Sequence, residues 1–275
     1  MTWNKNENEV AKSTIIEKNA NVSNVKSKNE RGFVTLLYGD TGTGKTYVSM
    51  TFPEPIFYVD TENRAINTKE LLFRNKNVEL FEPLELKQTI TRNLDDMLDE
   101  VASLNNLTAY LSQKVSKIKS GEITKGTIVI DSITDVWIWI QDWMYSKLSK
   151  VQTKQGIARA DEDMQSVASQ LDWKIATHKH QEIVSVLRSL VKDGVNIVFT
   201  ARQKSAPEYV TNQPTNKEKI RCQKEIPFVA DITFNLVRKN NEYLAICEKL
   251  GAKPIPPQPI VELNYEKILK LKNSD

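Results

Sequence analysis

Apolar residues fall into two rhythms along this chain. Short unbroken runs, "FVTLLY" (33–38), "IFYVD" (56–60), "NVELF" (77–81), "GTIVID" (126–131) and "VNIVFT" (195–200), have the length and β-branched content of buried strands. Between them the spacing changes to threes and fours. Leu94, Met97, Leu98, Val101, Leu104, Leu107, Leu111, Val115 and Ile118 mark an amphipathic helix over 94–118. "QEIVSVLRSLVKDG" (181–194) reads as another, with Gly194 as its stop, and "KTYVSMTF" opens a short helix that Pro53 ends. Two later runs, "DITFNLVR" (231–238) and "EYLAICE" (242–248), flank "KNN" as a hairpin.

Strands alternating with helices predict an α/β fold: a mostly parallel central sheet with helices on both faces and an antiparallel C-terminal edge hairpin. "TDVWIWIQDWMYSKL" (134–148), read as a helix, puts Val136, Trp139, Ile140 and Trp143 on one face and Trp137 and Ile138 off it. A helix apolar nearly all round is either core or a subunit contact. Residues 1–30 are rich in Asn, Lys and Glu and poor in apolar positions, so they read as a flexible polar arm. The domain then covers 31–251. Residues 252–275 form a Pro-rich extension that ends in a short amphipathic segment, and it too is expected to be a flexible end.

Composition narrows the classes without choosing one. A length of 275 residues allows one large domain with a good core, and a net charge of +3 gives no global basic field. Any nucleic-acid partner must therefore meet a local patch. Cys222 and Cys247 are too few for a disulfide framework, and with His178 and His180 they match no zinc spacing. Nothing in the chain approaches a membrane span or a signal-peptide core, so a soluble, cytoplasmic protein is expected.

The chemistry begins directly after the first strand. "GDTGTGKT" fits the phosphate-cradling pattern G-x-x-x-x-G-K-[ST], with Gly39, Gly44, Lys45 and Thr46 in the fixed places. Gly39, Asp40, Thr41, Gly42, Thr43, Gly44, Lys45, Thr46 and Tyr47 are the candidate nucleotide contacts. Backbone N–H groups of such a loop, with the helix N-terminus behind it, surround phosphate oxygens, and glycines permit the close approach. Lys45 would neutralise phosphate charge and the Thr46 hydroxyl would ligate Mg²⁺.

Acids supply the second half. Asp131 ends a buried strand, where it fits either a carboxylate holding Mg²⁺ through water or a cap on the helix starting near Ser132. Asp60 and Glu62 lie just beyond a neighbouring strand. Glu62 is a candidate base for polarising water, or an acid favouring the first turn of a helix. From Ala201 to Pro227 runs a stretch without apolar periodicity, expected to be a long loop. Lys204, Tyr209, Lys217, Lys219, Arg221 and Lys224 there offer cations and a ring to a single strand; a solvated surface loop is the plainer alternative.

Together "GDTGTGKT", "FYVDTEN", "TIVIDSIT" and "NIVFTARQK" resemble the RecA/RadA recombinase core. More narrowly, "DWKIATHKHQEIVSVLRSLVKDGVNIVFTARQK" looks like the minimal RecA-like ATPases of phages and archaeal viruses that accompany single-strand annealing and recombination. The resemblance spans roughly 32–255. It implies ATP and Mg²⁺ as cofactors, Lys45, Glu62, Asp131 and Arg202 as catalytic groups, and single-stranded DNA as partner. It also implies a homo-oligomer, filament or ring, in which Lys249 or Lys253 reaches a neighbour's nucleotide. The γ-phosphate sensor falls among Thr200, Arg202 and Gln203, and the loop after the last core strand takes the place of a DNA-binding loop. Two other functions keep the same fold: an ATPase with a protein client, as in virion assembly or genome packaging, and a non-catalytic nucleotide-dependent switch.

Overall fold

The structure is a computed structural model that describes residues 31–87, 98–154, 170–207 and 214–274. Strand β1 (Val34–Gly39) leads through the glycine loop into helix α1 (Lys45–Met50). Next come β2 (Ile56–Asp60), α2 (Ala65–Leu72), β3 (Val78–Phe81), α3 (Glu100–Lys119) and β4 (Gly126–Asp131). Helices α4 (Ile133–Lys154) and α5 (Gln170–Ser189) precede β5 (Val195–Pro207) and β6 (Pro214–Arg221). A short α6 (Ile226–Val229), the hairpin β7 (Ile232–Lys239) and β8 (Glu242–Leu250), then β9 (Ile260–Val261) and α7 (Tyr265–Asn273) complete the described chain.

The strands form one sheet in the order β3-β2-β4-β5-β1-β7-β8-β9, with β6 pairing the outer part of β5. From β3 to β7 all neighbours run parallel, whereas β8, β9 and β6 are antiparallel additions. Register brings the carboxyl ends of the parallel strands to one rim: Asp60 stands opposite Asp131, and Gly39 opposite Arg202. Ligands gather at this rim in open α/β sheets.

Both faces are covered, which is why β1, β2 and β4 are buried along their whole length. On one face Leu104, Leu107 and Leu111 of α3, Ile133, Val136, Trp139 and Ile140 of α4, and Ala176, Val184 and Leu187 of α5 pack against the sheet. Trp139 is buried and Trp137 and Trp143 pack partly buried on the same cluster, so the tryptophan segment belongs to the core. The other face is closed by Val48, Met50 and Phe52 together with Leu263 and Ile268.

Several boundaries differ from the sequence expectation. Helix α3 starts at Glu100, where Asp99 accepts a hydrogen bond from the Ala102 N–H at 2.8 Å; Leu94 and Met97 of the expected 94–118 helix lie outside the described residues. Helix α5 begins eleven positions before residue 181, and a 3₁₀ turn at Leu190–Asp193 ends it, with Gly194 at φ 92° as the expected stop. The expected loop 201–227 is largely a two-stranded ribbon, since β5 runs on to Pro207 and pairs with β6. Nor are residues 252–274 a loose end. Tyr265 stacks on Phe33 at 6.2 Å and tilts against Phe52 at 5.0 Å, and Ile268 is fully buried. The arm 1–30 lies outside the described residues. Among the described residues no helix is long and apolar enough to cross a membrane.

His180 of α5 is buried edge-on to Trp137 at 5.5 Å, and its Nε2 finds no partner among the described residues. Burial pushes its pKa down to about 4, so the fold holds it neutral while an unfolded chain protonates it near the ordinary value of about 6.5. The folded pKa is the lower one, so this contribution to stability is full above about pH 6.5 and is lost as pH falls toward 4. Urea unfolding at pH 7 and pH 5 checks this. His180→Leu should lose about 2 kcal/mol less stability between the two pH values than the wild type does.

Candidate nucleotide site

The glycine loop has the backbone that a phosphate cradle requires. Gly44 caps α1 at φ 93°, a left-handed conformation that a side chain disfavours. At Gly39 a Cβ would come within 2.2 Å of the Leu236 carbonyl oxygen on β7, so only glycine lets the loop leave the sheet there. Within the loop the Thr41 N–H donates to Asp40 Oδ1 at 2.7 Å, and the Thr43 hydroxyl donates to the Asp40 carbonyl at 2.8 Å. Lys45 Nζ donates to the carbonyls of Gly39 and Asp40, at 2.9 and 2.7 Å. Burial lowers the Lys45 pKa, against the pull of Asp131, Glu62 and Asp40. A phosphate would restore a full counter-charge to this amine. Tyr47 is exposed beside the loop, with its ring 5.4 Å from that of Phe73.

Asp131 sits at the centre of the rim. One carboxylate oxygen accepts from the Thr46 hydroxyl at 3.0 Å and from the Tyr58 hydroxyl at 2.5 Å, and the other accepts from the Thr200 hydroxyl. Burial, reinforced by the Asp131 charge, raises the Tyr58 pKa well above its ordinary value and keeps it a donor. Asp131 thus touches the residue that would ligate Mg²⁺, from the strand end where a metal-holding acid is expected. The donor set, one carboxylate and one threonine hydroxyl beside an open glycine loop, suits an oxygen-preferring Mg²⁺ that keeps water ligands.

Glu62 is presented by a turn that Asp60 builds. Asp60 accepts the N–H groups of Glu62 at 3.1 Å and Ala65 at 2.6 Å. Burial raises its pKa, against those N–H groups. Arg202 reaches across from β5 and donates Nε and Nη2 to one oxygen of Glu62, at 2.9 and 2.8 Å. Its Nη2 also stands 3.0 Å from Asp135 Oδ1. Burial would lower the Arg202 pKa, but Asp135 and Glu62 outweigh it and the net shift is upward. The candidate base is therefore held by a cation from the same chain.

Sequence reasoning brought together Lys45, Thr46, Glu62, Asp131 and Arg202, and they meet here. It missed Asp135 and the hydroxyls of Thr61 and Tyr58. Thr61 N–H donates to the Asp131 carbonyl at 2.7 Å, its hydroxyl donates to Asp135 Oδ2 at 2.7 Å, and it accepts the Ser132 N–H at 2.7 Å. The Ser132 hydroxyl also reaches Asp135 Oδ2, at 2.9 Å. The visible signals were the position of Asp135 one helical turn beyond Asp131 and that of Thr61 between two acids.

Of the three sensor candidates, Thr200 is spent on Asp131 and Arg202 on Glu62 and Asp135, while strand alternation turns Gln203 to the other face of β5. Lys249 and Lys253 are not at this rim. They sit toward the opposite end of β8, with Lys249 donating to the carbonyls of Pro227 and Phe228 at 3.0 and 3.1 Å and Lys253 to that of Ser274. Lys217 and Lys219 lie on β6, Lys204 and Arg221 belong to the ribbon, and Lys224 is exposed just after it; Tyr209 lies outside the described residues.

A glycine loop between β1 and α1, a Walker-type acid on β4 and this strand order define a P-loop ATPase of RecA-like fold. The chain matches the family model described as an AAA domain over residues 31–274, and it belongs to that family. No curated protein matches it in sequence. Among solved structures it is similar to a KaiC-like protein of the hyperthermophilic archaeon Pyrococcus horikoshii. That similarity has 16% identity, covers 84% of this chain and 85% of the other, and has a TM-score of 0.42.

Asp135 accepts from two hydroxyls and a guanidinium in a largely buried place. Asp135→Ala should lower stability by about 2 kcal/mol in urea unfolding, and Asp135→Asn, which keeps an acceptor, by less.

Proposed function

We propose that this chain is a Mg²⁺-dependent ATPase that acts on single-stranded DNA in recombination, annealing or repair. The observation that carries the reading is the course of β5. Its Thr200 holds Asp131 and its Arg202 holds Glu62, and the same strand then runs outward as one side of a cationic ribbon. Register sets Arg202 opposite Arg221 and Lys204 opposite Lys219. The ribbon's sequence carries Lys204, Lys217, Lys219 and Arg221, cations that a polyanion would neutralise.

In this reading the loop N–H groups and Lys45 hold the phosphates, and Thr46 with Asp131 holds Mg²⁺, which screens phosphate charge. Glu62 orients water once Arg202 lets go of it, and Arg202 then becomes available to the phosphate charge. DNA on the ribbon supports that release, because the contact and the latch share one strand. Assembly into a filament or ring belongs to the same proposal. A copy that supplies Lys249 or Lys253 in trans must first free that amine from the carbonyls that hold it. The Arg202 grip on Glu62 equally favours a second reading, a nucleotide-dependent switch with negligible turnover, and a protein client remains the rival use of the fold.

ATP hydrolysis with and without single-stranded DNA at low salt separates these readings. Several-fold stimulation that vanishes in Lys45→Ala is the expected result. DNA-independent turnover points to a protein client, and binding without turnover to the switch. Neutralising Lys217, Lys219 and Arg221 together should abolish DNA binding and leave ATP binding intact. Glu62→Gln should collapse turnover while ATP still binds.

A further inference from the structure

Tyr58 stands in the middle of β2, with Leu80 of β3 and Val129 of β4 as its register partners. Its side chain is fully buried, in the cluster that holds Val48, Met50 and Phe52. Phenylalanine would fill such a place without a polar atom, and a buried hydroxyl is costly unless it is paired. Here the hydroxyl donates to Asp131 Oδ2 at 2.5 Å. The same oxygen accepts the Thr46 hydroxyl at 3.0 Å. Two donors fill the two lone pairs that one carboxylate oxygen offers. Oδ2 is thus occupied on the side that faces the threonine expected to ligate Mg²⁺.

We infer that Tyr58 is a metal-selectivity residue: its hydroxyl closes Asp131 Oδ2 to direct coordination, so that the site takes Mg²⁺ in preference to Ca²⁺. The inference rests on the reading of this rim as a Mg²⁺–nucleotide site, and Tyr58 acts through Asp131, as a positioning residue. Mg²⁺ gives up its water reluctantly and takes few protein carboxylates, whereas Ca²⁺ takes more oxygen ligands and binds carboxylates directly. A closed carboxylate oxygen therefore costs Mg²⁺ little and removes a ligand from Ca²⁺. The Thr46 hydroxyl can offer its oxygen to Mg²⁺ while its proton stays on Oδ2. Asp131 then holds the metal through that hydroxyl without touching it.

The hydroxyl has little freedom to step aside. Strands on both sides hold the backbone of Tyr58, and the core packs around its ring. Ser49 of α1, also fully buried, places its hydroxyl 3.3 Å from that of Tyr58 and 2.8 Å from the Thr46 carbonyl. The tyrosine is thereby tied to the backbone of the residue that would carry the metal. A buried phenol without an acceptor is costly, so its bond to Asp131 persists when a cation arrives.

The test titrates a non-hydrolysable ATP analogue into the full chain by calorimetry, in EDTA, in Mg²⁺ and in Ca²⁺. Tyr58→Phe removes the hydroxyl and keeps the ring. It should raise the affinity in Ca²⁺ relative to that in Mg²⁺ by about fivefold or more, with the affinity in EDTA unchanged. An unchanged ratio, or an equal loss under all three conditions, shows a merely structural role and overturns the inference while the nucleotide reading stands. If the unsubstituted chain binds the analogue equally in EDTA and in Mg²⁺, the metal reading fails and the inference falls with it. If Tyr58→Phe does not fold, Tyr58→Met, whose flexible side chain fills irregular space without a hydroxyl, is read by the same criterion.

Discussion

A single buried carboxylate organises the rim beside the glycine loop. Asp131 cannot be buried as an ion unless hydrogen-bond donors surround it, and three hydroxyls do so from three directions. Thr46 comes from the helix behind the glycine loop, Tyr58 from the neighbouring strand on one side and Thr200 from the neighbour on the other. Each donor is correctly placed only if its own element is in register. The demand for satisfaction at one atom pair therefore ties α1, β2, β4 and β5 together, and the candidate metal ligand is preorganised as a by-product.

A second ring of polar contacts hangs from the first. Thr61 links the turn after β2 to the end of β4 and to Asp135, and Asp135 with Glu62 holds Arg202. The candidate base, its cationic partner and the candidate metal-holding acid thus belong to one network. Removing one member changes the others, because low-dielectric surroundings make each unmet group costly.

How much of this was legible depends on where the information lies. Strands β1, β2, β4 and the start of β5 were plain because their burial on both faces writes an unbroken apolar run. The glycine loop was plain because its chemistry is confined to eight consecutive residues. The ribbon was not. Apart from Ile220, "PTNKEKIR" holds no large apolar residue, so β6 carries no alternation and the segment reads as loop. Asp135 was missed for another reason: its spacing from Asp131 is only a weak signal, and its partner Thr61 lies 74 positions away, so the fold alone brings them together. The end of the chain was misjudged because Leu263 and Ile268 are too few to announce a docked helix, yet both are buried.

The long fifth strand also has a mechanical meaning. Its inner part is bonded on both sides, to β1 and β4, while among the described residues its outer part pairs with β6 alone. A pull along the strand loads the inner bonds together in shear, whereas a pull that peels β6 away breaks the outer bonds one after another. The outer pairing is thus a weak link in series with a strong anchor. A load on the tip is shed by unzipping the ribbon before the register that holds Thr200 against Asp131 is disturbed.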